Sequence, residues 1–336
     1  MPERQASHNA QIAVAAPLLQ VNDLRVEIPT PAGLLRAVRG LDLALERGET
    51  LCLVGESGCG KSLTALALMD LLPAVARRSA GQLSFLGEDL LRAGERRMAD
   101  LRGDRVAMIF QEPMTSLNPA WSLGNQLEEV WLRHRGGPRR AARERAVHLL
   151  ERVGIRAAAS RLGQYPHELS GGLRQRVMIA MALMCDPALI LADEPTTALD
   201  VTVQAQILRL LKDLQREFGM GLLLITHDLG IVARIADRVA VMYAGEIVEQ
   251  APVARLFANP AHPYTRGLLD CIPVPGKVRP GEALGTIPGL VPAPIGELRG
   301  CQFRNRCPQA QETCALTDFP LKAVNEEVSL RCRLAS

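Results

Sequence analysis

Two glycine-bearing stretches have the residue types and spacing to handle an anion. "GESGCGKS" at 55–62 places Gly55, Gly58 and Gly60 ahead of a Lys-Ser pair. Glycines let backbone N–H groups close around phosphate oxygens, and a following helix adds its own free N–H groups. Lys61 supplies a point charge, and Ser62 offers a hydroxyl to Mg²⁺. The residues that would line a nucleoside triphosphate here are Gly55, Glu56, Ser57, Gly58, Cys59, Gly60, Lys61, Ser62 and Leu63. A second stretch, "HELSGGLRQRV" at 167–177, sets Ser170, Gly171 and Gly172 before another apolar segment. One nucleotide pocket has no evident use for two such loops.

Acid–base chemistry has candidates nearby in pattern. "LILADEP" at 189–195 ends a buried-type strand in two carboxylates. Asp193 is placed to hold magnesium, through water, and Glu194 to polarise an attacking water as general base. His227 follows the apolar run "LLLIT", and Gln111 follows the strand expected over 106–110. Residues at the carboxyl ends of parallel strands sit where ligands bind in open α/β sheets. That places His227 by the γ-phosphate and Gln111 by the magnesium or the water.

These positions require particular elements. Strands are expected over 18–28, 37–45, 51–54, 106–110, 188–192 and 222–226, with "PTPAG" at 29–33 as a turn. Helices are expected over 61–72 and 201–217, and an Arg-rich helical region over 123–162. "VMIAMALM" at 177–184 is apolar on every side and so is expected to be buried. Composition agrees with a large globular chain: 336 residues, 48% hydrophobic and 22% charged. The 39 basic and 36 acidic residues leave a net charge of +3, too little to argue for nucleic acid. No apolar run has the length of a membrane span, and residues 1–17 lack the apolar core of a signal peptide, so a frayed cytosolic N-terminus is expected. Eight cysteines without such a signal argue against a disulfide framework.

Taken together the motifs resemble those of ATP-binding-cassette ATPases. "LSGGLRQ" at 169–175 matches that family's signature loop, "TALD" at 197–200 resembles its dimer-contact loop with Asp200, and Gln111 and His227 match its Q-loop and H-loop residues. The resemblance spans residues 18–260 and implies an α/β P-loop NTPase. Its parts would be a central, mostly parallel sheet, an antiparallel β subdomain, a helical insertion at about 112–170 and a short cysteine-containing extension at 260–336. In this family two cassettes bind head to tail, and the signature loop of one covers the nucleotide of the other. Ser170, Gly171 and Gly172 would therefore serve a partner's ATP. One departure stands out: the family stacks adenine on an aromatic ring at a position that here is Ile28, and no Phe, Trp or Tyr precedes Phe85. Loss of stacking would weaken base discrimination by about 1 kcal/mol.

"QEPMTSLNP" at 111–119, "NPAHPYTRGLL" at 259–269 and the tail from "IPGLVPAP" to "GCQFRNRCPQAQETC" resemble the dipeptide/oligopeptide permease ATP-binding subunits. This implies a peripheral subunit on the cytoplasmic face of the inner membrane. Its partners would be a second cassette (a paralogue or itself), two membrane-spanning permease chains and an external peptide-binding protein. The permease would dock on residues just after Gln111 and on the helical insertion. Cargo could also be nickel or another small solute; a soluble cassette acting on nucleic acid or ribosomes fits less well. The run "RHRGGPRRAARER" at 133–145 reads as a solvated helix surface or as a contact for anionic lipid. Cys301, Cys307, Cys314 and Cys332 are separated by five, six and seventeen residues, which leaves zinc and iron–sulfur both open. The expectation is that a metal replaces packing in a Pro-rich tail with little core of its own. The resemblance implies a [4Fe–4S] cluster there, with Zn²⁺ as the alternative. Finally, Cys59 beside Lys61 and a helix start is expected to have a lowered thiol pKa and to react readily with thiol reagents.

Overall fold

The computed structural model describes residues 16–112, 116–197, 199–272, 285–296 and 298–335. The expected N-terminal segment therefore lies almost wholly outside the described residues, as do Ala198 of the "TALD" loop and residues 113–115 after Gln111. Two sheets organise the chain. The first is antiparallel: β1 (Leu19–Thr30), β2 (Gly33–Leu45), β4 (Arg77–Ser79), β5 (Gln82–Phe85) and β6 (Glu88–Asp89), with β1 between β2 on one side and β4 and β5 on the other. The second contains β3 (Thr50–Val54), β7 (Val106–Ile109), β8 (Leu189–Asp193), β9 (Gly221–Thr226), β10 (Arg238–Tyr243), β11 (Glu246–Pro252), β12 (Lys322–Ala323) and β13 (Ser329–Leu330). Its order is β12-β13-β11-β10-β3-β9-β8-β7. From β10 to β7 the pairing is parallel, and β11, β13 and β12 close one edge antiparallel.

The central strands read as continuous apolar runs because both faces of the sheet are covered. Successive side chains go to opposite sides. Cys52 and Val54 of β3 join one core with Ile190, Leu222 and Leu224, whereas Leu51 and Leu53 join another with Leu191, Leu223 and Ile225. The second core is roofed by the antiparallel sheet and by α1 (Lys61–Leu68), and α2 (Glu95–Leu101) packs at its margin. The turn expected at 29–33 is shorter than its composition suggests. Pro29 pairs with Leu34 and Thr30 with Gly33, leaving Pro31 and Ala32 to turn. Proline is tolerated in this strand because β4 pairs with β1 only at Arg25–Glu27.

The other core is built by helices. α3 (Leu123–His134), α4 (Arg139–Arg152) and α5 (Ala158–Arg161) form the helical insertion, and α6 (Gly171–Ala182) carries the all-round apolar segment into the interior. Val177, Ile179 and Ala180 are fully buried there. The Arg-rich run has a local use. Arg139 Nε donates to Glu128 Oε2 at 2.5 Å and Arg143 lies 3.6 Å from Glu128 Oε1, so two guanidinium groups neutralise a carboxylate that is 3% exposed. Arg140 pairs one turn along with Glu144. α7 (Val201–Phe218) buries the stripe Ile207, Leu208, Leu211 and Leu214, and Asp200 caps it by accepting from the Val203 N–H at 2.9 Å. α8 (Leu229–Ile235), α9 (Val253–Ala258) and α10 (Pro263–Asp270) complete this side.

The tail packs in a way its composition hides. β13 pairs with β11, so residues near 330 extend the central sheet. Phe303 is 2% exposed and meets Tyr243, Tyr264 and His262 at ring separations of 5.2, 5.3 and 5.9 Å. The premise of a tail without a core is therefore wrong, and with it the expected metal centre. Cys301, Cys307, Cys314 and Cys332 do border one small apolar cavity beside Phe303 and Phe319. Yet among the described residues no group of three or more His, Cys, Asp or Glu is arranged to hold a metal ion. Burial pushes the Cys301 thiol up to about 11 and raises that of Cys307. The [4Fe–4S] cluster and the Zn²⁺ alternative are both withdrawn on these grounds. Cys52 and Cys185 are buried, as small core residues should be, and Cys271 is half-buried.

Candidate active site

Four adjacent parallel strands, β3, β9, β8 and β7, end on the same edge of the sheet. Each delivers a sequence-identified residue there. β3 runs into the glycine loop, β8 ends at Asp193 and Glu194, β9 at His227, and β7 at Gln111. This is how residues over a hundred positions apart become neighbours.

The loop is shaped by what cannot fit in it. A Cβ on Gly55 would lie 2.2 Å from the Met242 carbonyl oxygen, and one on Gly60 2.3 Å from the Ala37 carbonyl oxygen. Gly60 also has φ +108 and serves as the N-cap of α1, so the helix begins directly behind the cradle. Lys61 is buried and its Nζ donates to the carbonyls of Gly55 at 2.8 Å and Glu56 at 3.0 Å. Ser62 Oγ donates to Asp193 Oδ1 at 3.0 Å. Burial holds the Asp193 carboxyl above its ordinary range, and that hydroxyl bond opposes the shift. Hydroxyl and carboxylate oxygens at one point form the hard donor set that Mg²⁺ prefers. A glycine cradle, a buried lysine and this oxygen pair fit a triphosphate–magnesium complex. Ser57 and Gly58 lie on the exposed rim, and Leu63 packs against the core beneath.

Glu194 is the hub of the polar edge. Its Oε2 accepts from Thr197 Oγ1 at 2.8 Å and from Gln111 Nε2 at 3.3 Å, and its Oε1 lies 3.3 Å from His227 Nδ1. Its backbone takes φ +43, a left-handed conformation that costs a non-glycine residue about 1–2 kcal/mol. The carboxylate is thus aimed by three polar groups. An oriented carboxylate beside an Mg²⁺-type oxygen pair can accept a proton from water. Sequence reasoning placed Thr197 only at the start of the "TALD" contact loop and missed its bond to Glu194, three residues before it.

Other expected residues sit elsewhere. Among the described residues no hydrogen bond joins Ser170, Gly171 or Gly172 to the loop at 55–62. Ser170 and Gly171 are exposed at the start of α6, and Ser170 makes no side-chain cap bond. Gly172 has a packing role, because a Cβ there would lie 2.9 Å from Val203 Cγ1. Asp200 is engaged as the cap of α7. Ile28 is half-buried opposite Leu35, and the tail crosses this hairpin: the Arg36 N–H donates to the Pro294 carbonyl at 2.9 Å, and Leu35 bridges to Ile295.

Cys59 departs from expectation. It is 1% exposed, and burial raises its thiol pKa, with the Lys61 cation opposing but not winning. Reaction with iodoacetamide at pH 7.5 should therefore be slow and insensitive to ATP, and Cys59→Ser should leave inactivation unchanged. Rapid, ATP-protected loss of activity that disappears in Cys59→Ser would contradict this burial argument.

Comparison with known proteins agrees with this geometry. The ABC transporter family model matches residues 38–197, which contain the glycine loop, Gln111, the signature loop and the Asp193–Glu194 pair. The model for the C-terminal region of oligopeptide/dipeptide transporters matches residues 248–314. The oligopeptide transport ATP-binding protein OppD of Salmonella typhimurium is 52% identical over 88% of this chain and 88% of its own length. AppD of Bacillus subtilis, an oligopeptide transport ATP-binding protein, is 47% identical over 94% of this chain and 96% of its own. The chain belongs to the ABC transporter ATP-binding family. Among solved structures, the cassette MJ0796, a dimer in a post-hydrolysis state bound to ADP and Pi, superposes with a TM-score of 0.63 at 25% identity, covering 70% of this chain and 98% of that one. CbiO1 of Clostridium perfringens, part of an ABC transporter complex, gives 0.62 at 27% identity, covering 73% and 92%. Both similarities show the fold of an ABC cassette.

Proposed function

We propose that this chain is the ATP-hydrolysing subunit of a peptide importer, coupling nucleotide-driven closure of two cassettes to uptake of di- or oligopeptides. The carrying observation is the Glu194 hub next to the Asp193–Ser62 pair at the mouth of the glycine loop. In this reading Gly55 to Leu63 hold the phosphates, Lys61 supplies the charge, and Ser62, Asp193 and Gln111 hold Mg²⁺. Bound Mg²⁺ neutralises charge on the β- and γ-phosphates. Glu194 takes the proton of the attacking water, and His227 steadies that water and the γ-phosphate. Ile28 buries one face of adenine.

Ser170, Gly171 and Gly172 serve the nucleotide of the opposing cassette, with Asp200 in the contact loop. Exposure of Ser170 without an intrachain cap partner supports this assignment. Closure requires the triphosphate, and losing its γ-phosphate contacts releases it. Residues 18–259 form the nucleotide-binding unit and 260–336 the importer extension. The second cassette is a paralogue or another copy of this chain. No helix of the described residues is long and apolar enough to cross a membrane, so the pore falls to two permease chains. A groove lined by Trp121, Asn125, Glu129, Leu132, Arg133 and Arg139 follows the Gln111 segment and suits a permease loop. An external binding protein delivers the peptide, and the cassette works on the cytoplasmic face of the membrane. The matches to peptide transport proteins favour peptide over nickel.

Replacing Ser170 by Arg tests the shared site. The variant chain should bind ATP within about twofold of wild type, because its own phosphate loop is untouched. Turnover by the assembled transporter should fall about 100-fold, the scale of losing a transition-state donor. A lone chain hydrolysing ATP at the full rate, unaffected by the change, would remove the shared-site reading.

A further inference from the structure

The phosphate loop is held from behind by the C-terminal region. Arg306 Nη1 donates to Glu56 Oε2 at 2.7 Å and Nη2 to Oε1 at 2.9 Å, a bidentate fork. The other Arg306 donors are also occupied. Nε goes to the Pro288 carbonyl at 2.8 Å, Nη2 to that of Ile287 at 3.2 Å, and Nη1 to the Tyr243 hydroxyl at 3.4 Å. All five guanidinium N–H groups are thus used, on a side chain 4% exposed. The Glu56 N–H donates to the Tyr264 hydroxyl at 2.9 Å, and the Glu56 carbonyl accepts from Lys61 Nζ at 3.0 Å. Side chain, amide and carbonyl of one loop residue are therefore fixed at once. Two of those three anchors come from positions 264 and 306, far outside the loop.

We propose that Arg306 is a positioning residue for nucleotide binding: by clamping Glu56 it keeps the phosphate loop and Lys61 in the shape that receives a triphosphate. The C-terminal region would then set ATP affinity as well as pack against the sheet. A tail that only needed anchoring could have bonded any surface acid; this one grips the second residue of the cradle. A lysine could not replace the arginine, because it lacks the planar fork. The inference rests on the ATP-site assignment made above.

The test uses the full-length chain, with equilibrium ATP affinity, KM and kcat, and thermal melting measured in parallel. Arg306→Gln should raise Kd and KM for ATP about tenfold, with kcat at saturating ATP within about twofold. Glu56→Gln should do the same, and the double variant should be no worse than the worse single one, since both remove one interaction. Arg306→Lys should fold and still raise Kd. It decides the matter if Arg306→Gln does not fold. Lower melting temperatures with unchanged Kd in Arg306→Lys and Glu56→Gln would reduce the contact to tail anchoring and overturn the proposal. Lys61→Ala separates the two levels: if it binds ATP like wild type, the ATP-site assignment fails. If it loses binding while the Arg306 and Glu56 variants keep theirs, only the clamp fails.

Discussion

Glu194→Gln abolishes steady-state ATP turnover, lowering it by about 10²–10⁴-fold, the range attributed to a positioned general base. The change is nearly isosteric. The amide can still meet Thr197, Gln111 and His227, which surround the carboxylate at 2.8–3.3 Å. What disappears is the negative charge and the capacity to take a proton. Lys61 and the Ser62–Asp193 pair are untouched, so ATP should bind within a few-fold of wild type. With binding intact and hydrolysis stopped, the closed cassette pair should accumulate when ATP is added. Turnover by phosphate release and dimer formation by light scattering measure the two arms. A variant with near-normal turnover would assign the base to another group. A variant that also loses ATP binding would mean that Glu194 mainly supports the loop.

Gly60→Ala should be among the most damaging single methyls in the phosphate loop. The new Cβ would meet the Ala37 carbonyl oxygen at 2.3 Å and Met242 Cε at 2.8 Å. The methionine tip can move, but the Ala37 carbonyl is main chain, held between Arg36 and Val38, which pair with Glu27 and Val26 of β1. The backbone must also hold φ +108 with a side chain attached. Strain of this kind costs about 1–3 kcal/mol before the clash is counted. Relief requires shifting the residue that starts α1, and so the loop itself. ATP affinity should fall by more than about 100-fold, equivalent to roughly 3 kcal/mol. The melting temperature should drop as well. Gly58→Ala is the control. Its φ is +78, but its Cβ would meet nothing within 4 Å, so only the conformational cost of about 1–2 kcal/mol applies. Equal effects at both glycines would show that backbone conformation alone, and not the approach of β2, sets the requirement.

Much of this was legible in the chain itself. Gly55, Gly58, Gly60, Lys61 and Ser62 are close in sequence, and such a local spacing marks a phosphate loop without any knowledge of distant partners. The apolar runs before Asp193 and His227 are equally local, because a strand buried on both faces needs no partner to be recognised. Four such strands, joined in parallel, must end on one edge, and that was enough to gather Gln111, Asp193, Glu194 and His227.

What the sequence could not supply was the outcome of competition between distant groups. Lys61 next to Cys59 argued for a reactive thiol, but the thiol is buried, and desolvation exceeds the pull of the cation. Four cysteines in a Pro-rich tail argued for a metal. Phe303, however, finds Tyr243 and Tyr264, which are scattered along the chain, and their packing gives the tail the core it seemed to lack. The bond from Arg306 to Glu56 crosses 250 residues and has no local signature. Period and spacing are set between near neighbours, where chain geometry is fixed by covalent structure. Burial, charge pairing and the identity of a long-range partner are decided only when the sheet and its flanking layers close over them.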